Sequence, residues 1–179
     1  MRIIAGKYKG LKLNEFEYDN IRPTIDRVRE AIFNKIQFNI PNAIVLDLFG
    51  GTGAVSLEFV SRGAKVFTAD NNSNSIKLIK QNFSKAKIKP NLLEMDYMKA
   101  LKKLKADNVV FDIVFLDPPY ATDFGLQAIE LLVKNNLLNK NAIIIFETSE
   151  DREFIFPTCF EVSKKKYGTV ADYKLIYKE

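Results

Sequence analysis

The residues with the most specific chemistry in this sequence are Asp117, Pro118, Pro119 and Tyr120, which directly follow a short apolar run. Two consecutive prolines fix the backbone and remove two donors, so the Asp carboxylate and the neighbouring carbonyl oxygens form a rigid wall that only accepts hydrogen bonds. The complement of such a wall is a pair of donors on one atom, as in an exocyclic amine. Holding both N–H groups, one on the carboxylate and one on a proline carbonyl, draws the nitrogen lone pair out of conjugation and aims it at an electrophile. Tyr120 offers a ring to stack on a base, whose edge becomes reachable when the nucleotide is unpaired or flipped. Standing alone, the tetrapeptide would read as a Pro-Pro turn with a packing tyrosine, so its surroundings decide.

Upstream, Asp47 and Leu48 lead into Phe49, Gly50, Gly51, Thr52 and Gly53, between an apolar run and a helical pattern. Glycines in such a strand-to-helix turn let a ligand approach the backbone. Two features argue against a phosphate ligand. The turn lacks the Gly-Lys-Ser/Thr ending of a P-loop, and Asp47 puts a carboxylate at its mouth, where it would repel a pyrophosphate. S-adenosylmethionine carries a sulfonium and an α-ammonium and no phosphate, so an acid suits it. Asp70 ends the next apolar run, beside Asn71, where a carboxylate could accept from ribose hydroxyls. Asp96, beside Tyr97, follows the third run and could accept from an adenine amino group. Any one of these acids would more simply be a helix cap. Asp47, Asp70 and Asp96 at three successive strand ends point to a cofactor site, and with Asp117 to methyl transfer that needs neither histidine nor metal.

These residues must be held by a scaffold. From residue 42 onward, apolar runs at 43–48, 65–69, 91–94, 113–116 and 142–146 alternate with helical patterns at 54–61, 73–86, 98–104 and 124–135. Short buried strands with intervening helices predict an α/β, doubly wound, Rossmann-like fold with a mostly parallel sheet. After Pro157, runs at 160–163 and 170–177 flank Gly168 with no helix between them, which predicts an antiparallel C-terminal hairpin and seven strands in all. Residues 1–40 read as an extension to the catalytic domain at 41–179. Gly6 and Gly10 would turn a short basic hairpin, and an amphipathic helix over about 24–37 would be capped by Thr24 or Asp26.

The chain has 179 residues, 47% of them hydrophobic, which suffices for one substantial core. Its formal charge is +5. The first thirteen residues hold Arg2, Lys7, Lys9 and Lys12 without an acid, and Lys164, Lys165 and Lys166 cluster near the other end. These basic ends, which could also be only a solvated surface, and Arg22, Thr24, Arg27 and Arg29 beside the crevice are the candidate contacts for a polyanionic partner such as RNA. The arginines could equally tether the N-terminal helix by ion pairs. The absence of histidine excludes imidazole acid-base chemistry and histidine metal sites, and a single cysteine, Cys159, builds neither an internal disulfide nor a thiolate cluster. No apolar run is long enough to span a bilayer and no leader pattern opens the chain, so a cytoplasmic protein is expected.

With these residues in view, the sequence resembles a known family. Residues 47–53 and 117–120 are similar to class I amino-methyltransferases, and the stretches 1–10, 22–34 and 57–64 narrow the resemblance to the RsmD family, bacterial 16S rRNA guanine-N2 methyltransferases. The similarity runs from Met1 through Gly168. It implies S-adenosylmethionine as cofactor, a monomeric enzyme, and a guanine of 16S ribosomal RNA presented on an assembling small subunit. One position departs from the family pattern: the acid after the second strand is Asp70 where Glu is usual, which bears on the ribose contact.

The acceptor wall recognises an amine rather than one base. An adenine-N6 or cytosine-N4 methyltransferase therefore stays open, although 179 residues leave little room for the target-recognition domain of a DNA enzyme. A protein-glutamine methyltransferase fits the positive ends less well. A non-catalytic RNA-binding assembly protein would not need the intact Asp47, Gly50, Gly53 and 117–120 set.

Overall fold

Alternate residues of the central strands are buried on opposite faces of one sheet. Val45, Ile113, Phe115, Ile143 and Ile145 pack into one layer, whereas Leu46, Val114, Leu116, Ile144 and Phe146 pack into the other. This is the period-2 pattern of strands covered on both sides. The computed structural model describes residues 1–17 and 22–179, with residues 22–25 by their backbone alone. The elements run α1 (Arg22–Ile36), β1 (Ile44–Asp47), α2 (Ala54–Ser61), β2 (Lys65–Asp70), α3 (Ser73–Lys85), β3 (Asn91–Glu94), α4 (Tyr97–Ala106), β4 (Phe111–Leu116), α5 (Phe124–Lys134), β5 (Leu138–Ser149), β6 (Phe160–Tyr167) and β7 (Val170–Tyr177).

The seven strands form one sheet in the order β3-β2-β1-β4-β5-β7-β6. The first five in that order are parallel, and β7 runs antiparallel between β5 and β6. Helices α4 and α5 cover one face, with Ala100, Leu101, Leu104, Ala128, Ile129 and Leu132 buried. Helix α1 covers the other through Val28, Ile32, Phe33 and Ile36. The strand order reverses between β1 and β4, which opens a crevice at the carboxyl ends of these strands, the place where such sheets bind ligands. No described helix is long and apolar enough to cross a membrane.

The N-terminal segment forms the expected hairpin in a short form: Arg2 and Lys12 make one antiparallel bridge, and the amides of Ile3 and Leu13 donate across it to the carbonyls of Leu11 at 3.1 Å and Met1 at 3.0 Å. Helix α2 holds its turn. Buried Glu58 accepts the amides of Ile4 at 2.8 Å and Ala5 at 3.0 Å, and Ser61 Oγ accepts that of Tyr8 at 2.9 Å. Asn82 Nδ2 reaches back from α3 to the carbonyls of Asn14 at 3.0 Å and Thr52 at 2.8 Å. Gly6 is obligatory in this packing, because its φ is +83° and a Cβ there would lie 2.0 Å from the Ser61 carbonyl oxygen. Ile3 and Leu13 share a cluster with Leu57, Ile79 and Phe83, so the extension is built into the common core.

Helix α1 begins at Arg22, earlier than expected. Asp26 lies inside it and pairs with Arg29 at 3.2 Å, so it is not the cap. The side chains of Arg22 and Thr24 lie outside the described residues.

Candidate active site

Beneath the glycine turn, Asp47 is almost fully buried and accepts a hydrogen bond from Ser56 Oγ at 2.6 Å, with the Thr68 hydroxyl 2.7 Å further on. The expectation of a carboxylate at the mouth of the turn is corrected here: it lies under the turn, where the start of α2 closes over it. Burial pushes its pKa up from 3.8 to about 6, with the nearby Asp70 charge adding to the rise and the Ser56 bond opposing it. Asp70 accepts the amides of Gly51 at 2.9 Å and Asn72 at 2.8 Å, one on each oxygen, which leaves lone pairs on both for a ligand. Asp96 caps α4 by accepting the Lys99 amide at 3.0 Å, and this bond is the main reason its pKa is lowered. The simpler role foreseen for this acid is therefore realised, though it also stands on the cavity wall.

The glycines differ in purpose. A Cβ on Gly50 would lie 2.5 Å from Thr68 Cγ2, so that glycine serves packing. Gly51 has φ +54° and a Cβ there would enter open space, so this residue keeps a cradle clear for a ligand at the crevice. That cradle, together with the free lone pairs of Asp70, fits S-adenosylmethionine.

Beyond β4, Asp117 opens onto the crevice and forms no hydrogen bond among the described residues. Desolvation by the surrounding protein, then the charges of Glu147 and Asp47, hold its carboxyl above the usual carboxylate range. Water entering by the crevice moderates that rise. Tyr120 donates its phenol to Glu147 Oε1 at 2.7 Å. Glu147 is itself shifted upward, first by burial, with the Tyr120 bond opposing and Asp172 adding. Arg152 clamps the same loop: its Nη1 donates to the carbonyls of Tyr120 at 2.7 Å and Thr122 at 2.5 Å, and its Nη2 to Asp123 at 2.6 Å. Lys164 in turn holds the Arg152 carbonyl at 2.9 Å. That lysine is engaged within the chain, which removes it from the second basic cluster expected at the surface.

Two cavities meet at this loop. One, about 750 Å³, is lined by Asp70, Asn71, Asp96, Tyr97 and the tetrapeptide, with Phe49 and Tyr97 rings 5.7 Å apart on its wall. The other, about 420 Å³, is lined by Val28, Arg29, Ile32, Asp47, Thr52 and Glu147 among others. Phe49, Gly51, Asp117 and Tyr120 line both. The structure thus gathers Phe49, Gly51, Asp70, Asn71, Asp96 and Tyr97 around the larger space and sets Asp117 at its junction with the smaller one, whereas the expected cofactor residues Asp47, Gly50 and Thr52 line only the smaller space and Gly53 lines neither. Pro118 and Pro119 line only the larger cavity.

The expected RNA contacts divide. Arg2, Lys7, Lys9, Lys12 and Arg27 are exposed, whereas Arg29 is buried and donates to the Arg2 carbonyl at 2.7 Å. Arg29 therefore tethers the N-terminal segment, the second of the two roles foreseen. Sequence reasoning missed Glu147, Arg152 and Ser56. Glu147 had one available signal, a single acid ending an otherwise apolar run. Arg152 had none, because its partners are carbonyls thirty residues away.

The family described as conserved hypothetical protein 95 matches residues 1–176. The chain is 36% identical over 178 residues to ribosomal RNA small subunit methyltransferase D of Haemophilus influenzae, a match covering 98% of this chain and 92% of that one. A solved structure from Escherichia coli has a TM-score of 0.88 at 28% identity, covering 100% of this chain and 98% of the other. A second, from Haemophilus influenzae, has a TM-score of 0.82 at 33% identity, covering 100% and 99%.

Proposed function

This chain belongs to the family of the ribosomal RNA small subunit methyltransferase D proteins, and from that membership we propose that it transfers the methyl group of S-adenosylmethionine to the exocyclic N2 of one guanine in 16S ribosomal RNA. The observation that carries the reading is the position of Asp117 where the two cavities meet. A cofactor in the larger and a base in the smaller would bring donor and acceptor to the same carboxylate. The substrate is the small subunit during assembly, and the enzyme works as a monomer in the cytoplasm.

When bound, S-adenosylmethionine supplies a methyl group on a positively charged sulfur. Asp70 would take the ribose hydroxyls on its free lone pairs, Asp96 and Asn71 would hold the adenine, and the negative charge of Asp47 would favour a cationic ligand. Asp117 and the Pro118 carbonyl hold the two N–H groups of the target amine, and the Tyr120 ring stacks on the base. Positioning and charge complementarity supply most of the barrier reduction. The proton that the alkylated nitrogen must lose passes to Asp117, whose raised pKa makes it a better acceptor than an ordinary carboxylate.

The test is incubation with methyl-labelled S-adenosylmethionine and small-subunit particles from cells lacking the enzyme, followed by nucleoside analysis. N2-methylguanosine at one site is the expected product. N6-methyladenosine or N4-methylcytidine would overturn the base assignment and keep the amine chemistry, and label in no nucleic acid would overturn the whole reading.

A further inference from the structure

The smaller cavity carries two polar features that the transfer step leaves unused. Glu147 gives one oxygen to the Tyr120 phenol, and its Oε2 has no partner among the described residues. Arg29 is 5% exposed, yet its Nε and Nη1 have no hydrogen-bond partner among them either. Only Nη2 is engaged, by the Arg2 carbonyl at 2.7 Å and by Asp26 at 3.2 Å. Buried donors on a cation are rarely left idle, because an unmatched one keeps its full desolvation cost. These two nitrogens have no surface open to the cavity, so the group that a ligand can meet there is the Glu147 oxygen.

The carboxylates are placed to act together. Leu116 and Phe146 are register partners on the parallel strands β4 and β5, so the residues that follow them, Asp117 and Glu147, stand side by side at the strand ends. Both line the smaller cavity, as does Arg29. Its wall therefore sets two acceptors, Asp117 and Glu147, side by side.

That set matches one base. The Watson–Crick edge of guanine presents the N2 amine, the N1–H and the O6 carbonyl in sequence: donor, donor, acceptor. In adenine and cytosine the ring nitrogen beside the amine is bare and would meet a Glu147 carboxylate lone pair to lone pair. We propose that Glu147 selects the target base by accepting the ring N1–H of guanine, next to the amine that Asp117 holds. This assignment rests on the amine-methylation reading above and supplies what the acceptor wall alone lacks, a reason for guanine. A site built to hydrogen-bond a group rejects the analogue that lacks it far more strongly than an apolar pocket can, because its own buried polar atoms are left unmatched.

The test compares RNA carrying guanine at the site located by nucleoside analysis with the same RNA carrying 2-aminopurine there. This analogue keeps the N2 amine but has a bare N1 and no O6. The wild-type enzyme should prefer guanine by at least ~100-fold in kcat/KM. Glu147→Gln keeps an acceptor for the Tyr120 phenol and gains an amide that can donate to a bare N1, so it should shrink that preference by about tenfold or more. A second analogue, 6-thioguanine, keeps N1–H and the N2 amine and changes only position 6, so it should keep most of the guanine rate and separate the N1–H contribution from that of O6. Equal wild-type rates on guanine and 2-aminopurine would overturn the proposal while leaving the methylation reading intact, and this comparison decides even if the Glu147 variant fails to fold. Absence of transfer to guanine RNA would overturn the reading beneath it and the proposal together.

Discussion

Tyr120 and Glu147 are joined by a 2.7 Å hydrogen bond from phenol to carboxylate, which ties the middle of the loop after β4 to the end of β5. The Arg152 guanidinium holds the Tyr120 carbonyl at 2.7 Å from the other side. The ring that would stack on a base is thus fixed by its own hydroxyl and by its own backbone before any ligand arrives. A surface fixed in advance spends none of the substrate's binding energy on ordering itself.

Tyr120→Phe keeps the ring and removes only this bond. A hydrogen bond to a charged group is worth about 1.5–3 kcal/mol, so a fall in kcat of about tenfold is expected, with KM for S-adenosylmethionine within about twofold of wild type. Steady-state kinetics at saturating RNA would check it. An unchanged kcat would mean that the phenol plays no part in holding the stacking surface.

Arg152 acts through the loop and touches no reacting atom. Arg152→Ala releases two carbonyls and Asp123 from one planar fork, and the expected stability cost is about 1–2 kcal/mol for this partly exposed residue. The kinetic effect should be larger: kcat falls while cofactor affinity, measured by calorimetry, stays near wild type. Arg152→Lys should recover little, because an ammonium cannot reproduce the fork. If cofactor affinity fell in step with kcat, the role would be general support of the fold.

The parallel strands were legible in the sequence because residues such as 43–48 and 113–116 are buried on both faces and so read as continuous apolar runs. The full extent of β5 was not. Its last residues, Glu147, Thr148 and Ser149, pair with Asp172, Ala171 and Val170 of β7, and a strand held by backbone bonds through polar residues leaves no hydrophobic trace. The same blindness hid Glu147 as a site residue. Asp47, Asp70, Asp96 and Asp117 were found because each ends a strand at the crevice, but which of them is buried and which caps a helix depends on packing. The N-terminal hairpin was legible from its glycines, but its docking was not: the amides of Ile4, Ala5 and Tyr8 are satisfied by Glu58 and Ser61 across fifty residues of chain, which no local pattern records.

Asp47 makes stability depend on pH in a definite direction. Its folded pKa, about 6, lies above the ordinary 3.8, so its contribution is fully present below the lower value and is lost as pH rises through the upper one. The ionised carboxyl then costs the unliganded fold on the order of 3 kcal/mol at neutral pH. Asp47→Asn removes this cost while still offering Ser56 an acceptor. The variant should therefore melt higher than wild type at pH 7.5, with the gap closing towards pH 4.5, and it should bind the cationic cofactor more weakly. A gap independent of pH would show that Asp47 is not the titrating group. Conversely, S-adenosylmethionine should bind the wild type more tightly as pH rises through 6, because the ligand favours the ionised form.

Lys7, Lys9 and Lys12 are exposed, and none makes an ion pair among the described residues. The backbone between them is anchored through Lys7 N–H to the Ser61 carbonyl at 2.8 Å and Tyr8 N–H to Ser61 Oγ at 2.9 Å, so their side chains can be removed without loosening the segment. If these lysines contact phosphates, each contributes about 0.7–0.9 to the slope of log affinity against log salt. Replacing all three by Ala should lower that slope by about 2–3, weakening RNA binding most at low salt and least at high salt. The methyl-transfer rate at saturating RNA should stay close to wild type, since none of the three lines either cavity. Binding titrations across a salt series separate the possibilities: an unchanged slope removes the segment from the interface, whereas a uniform loss at every salt concentration would mean that the lysines act by shaping the segment and not by meeting phosphate.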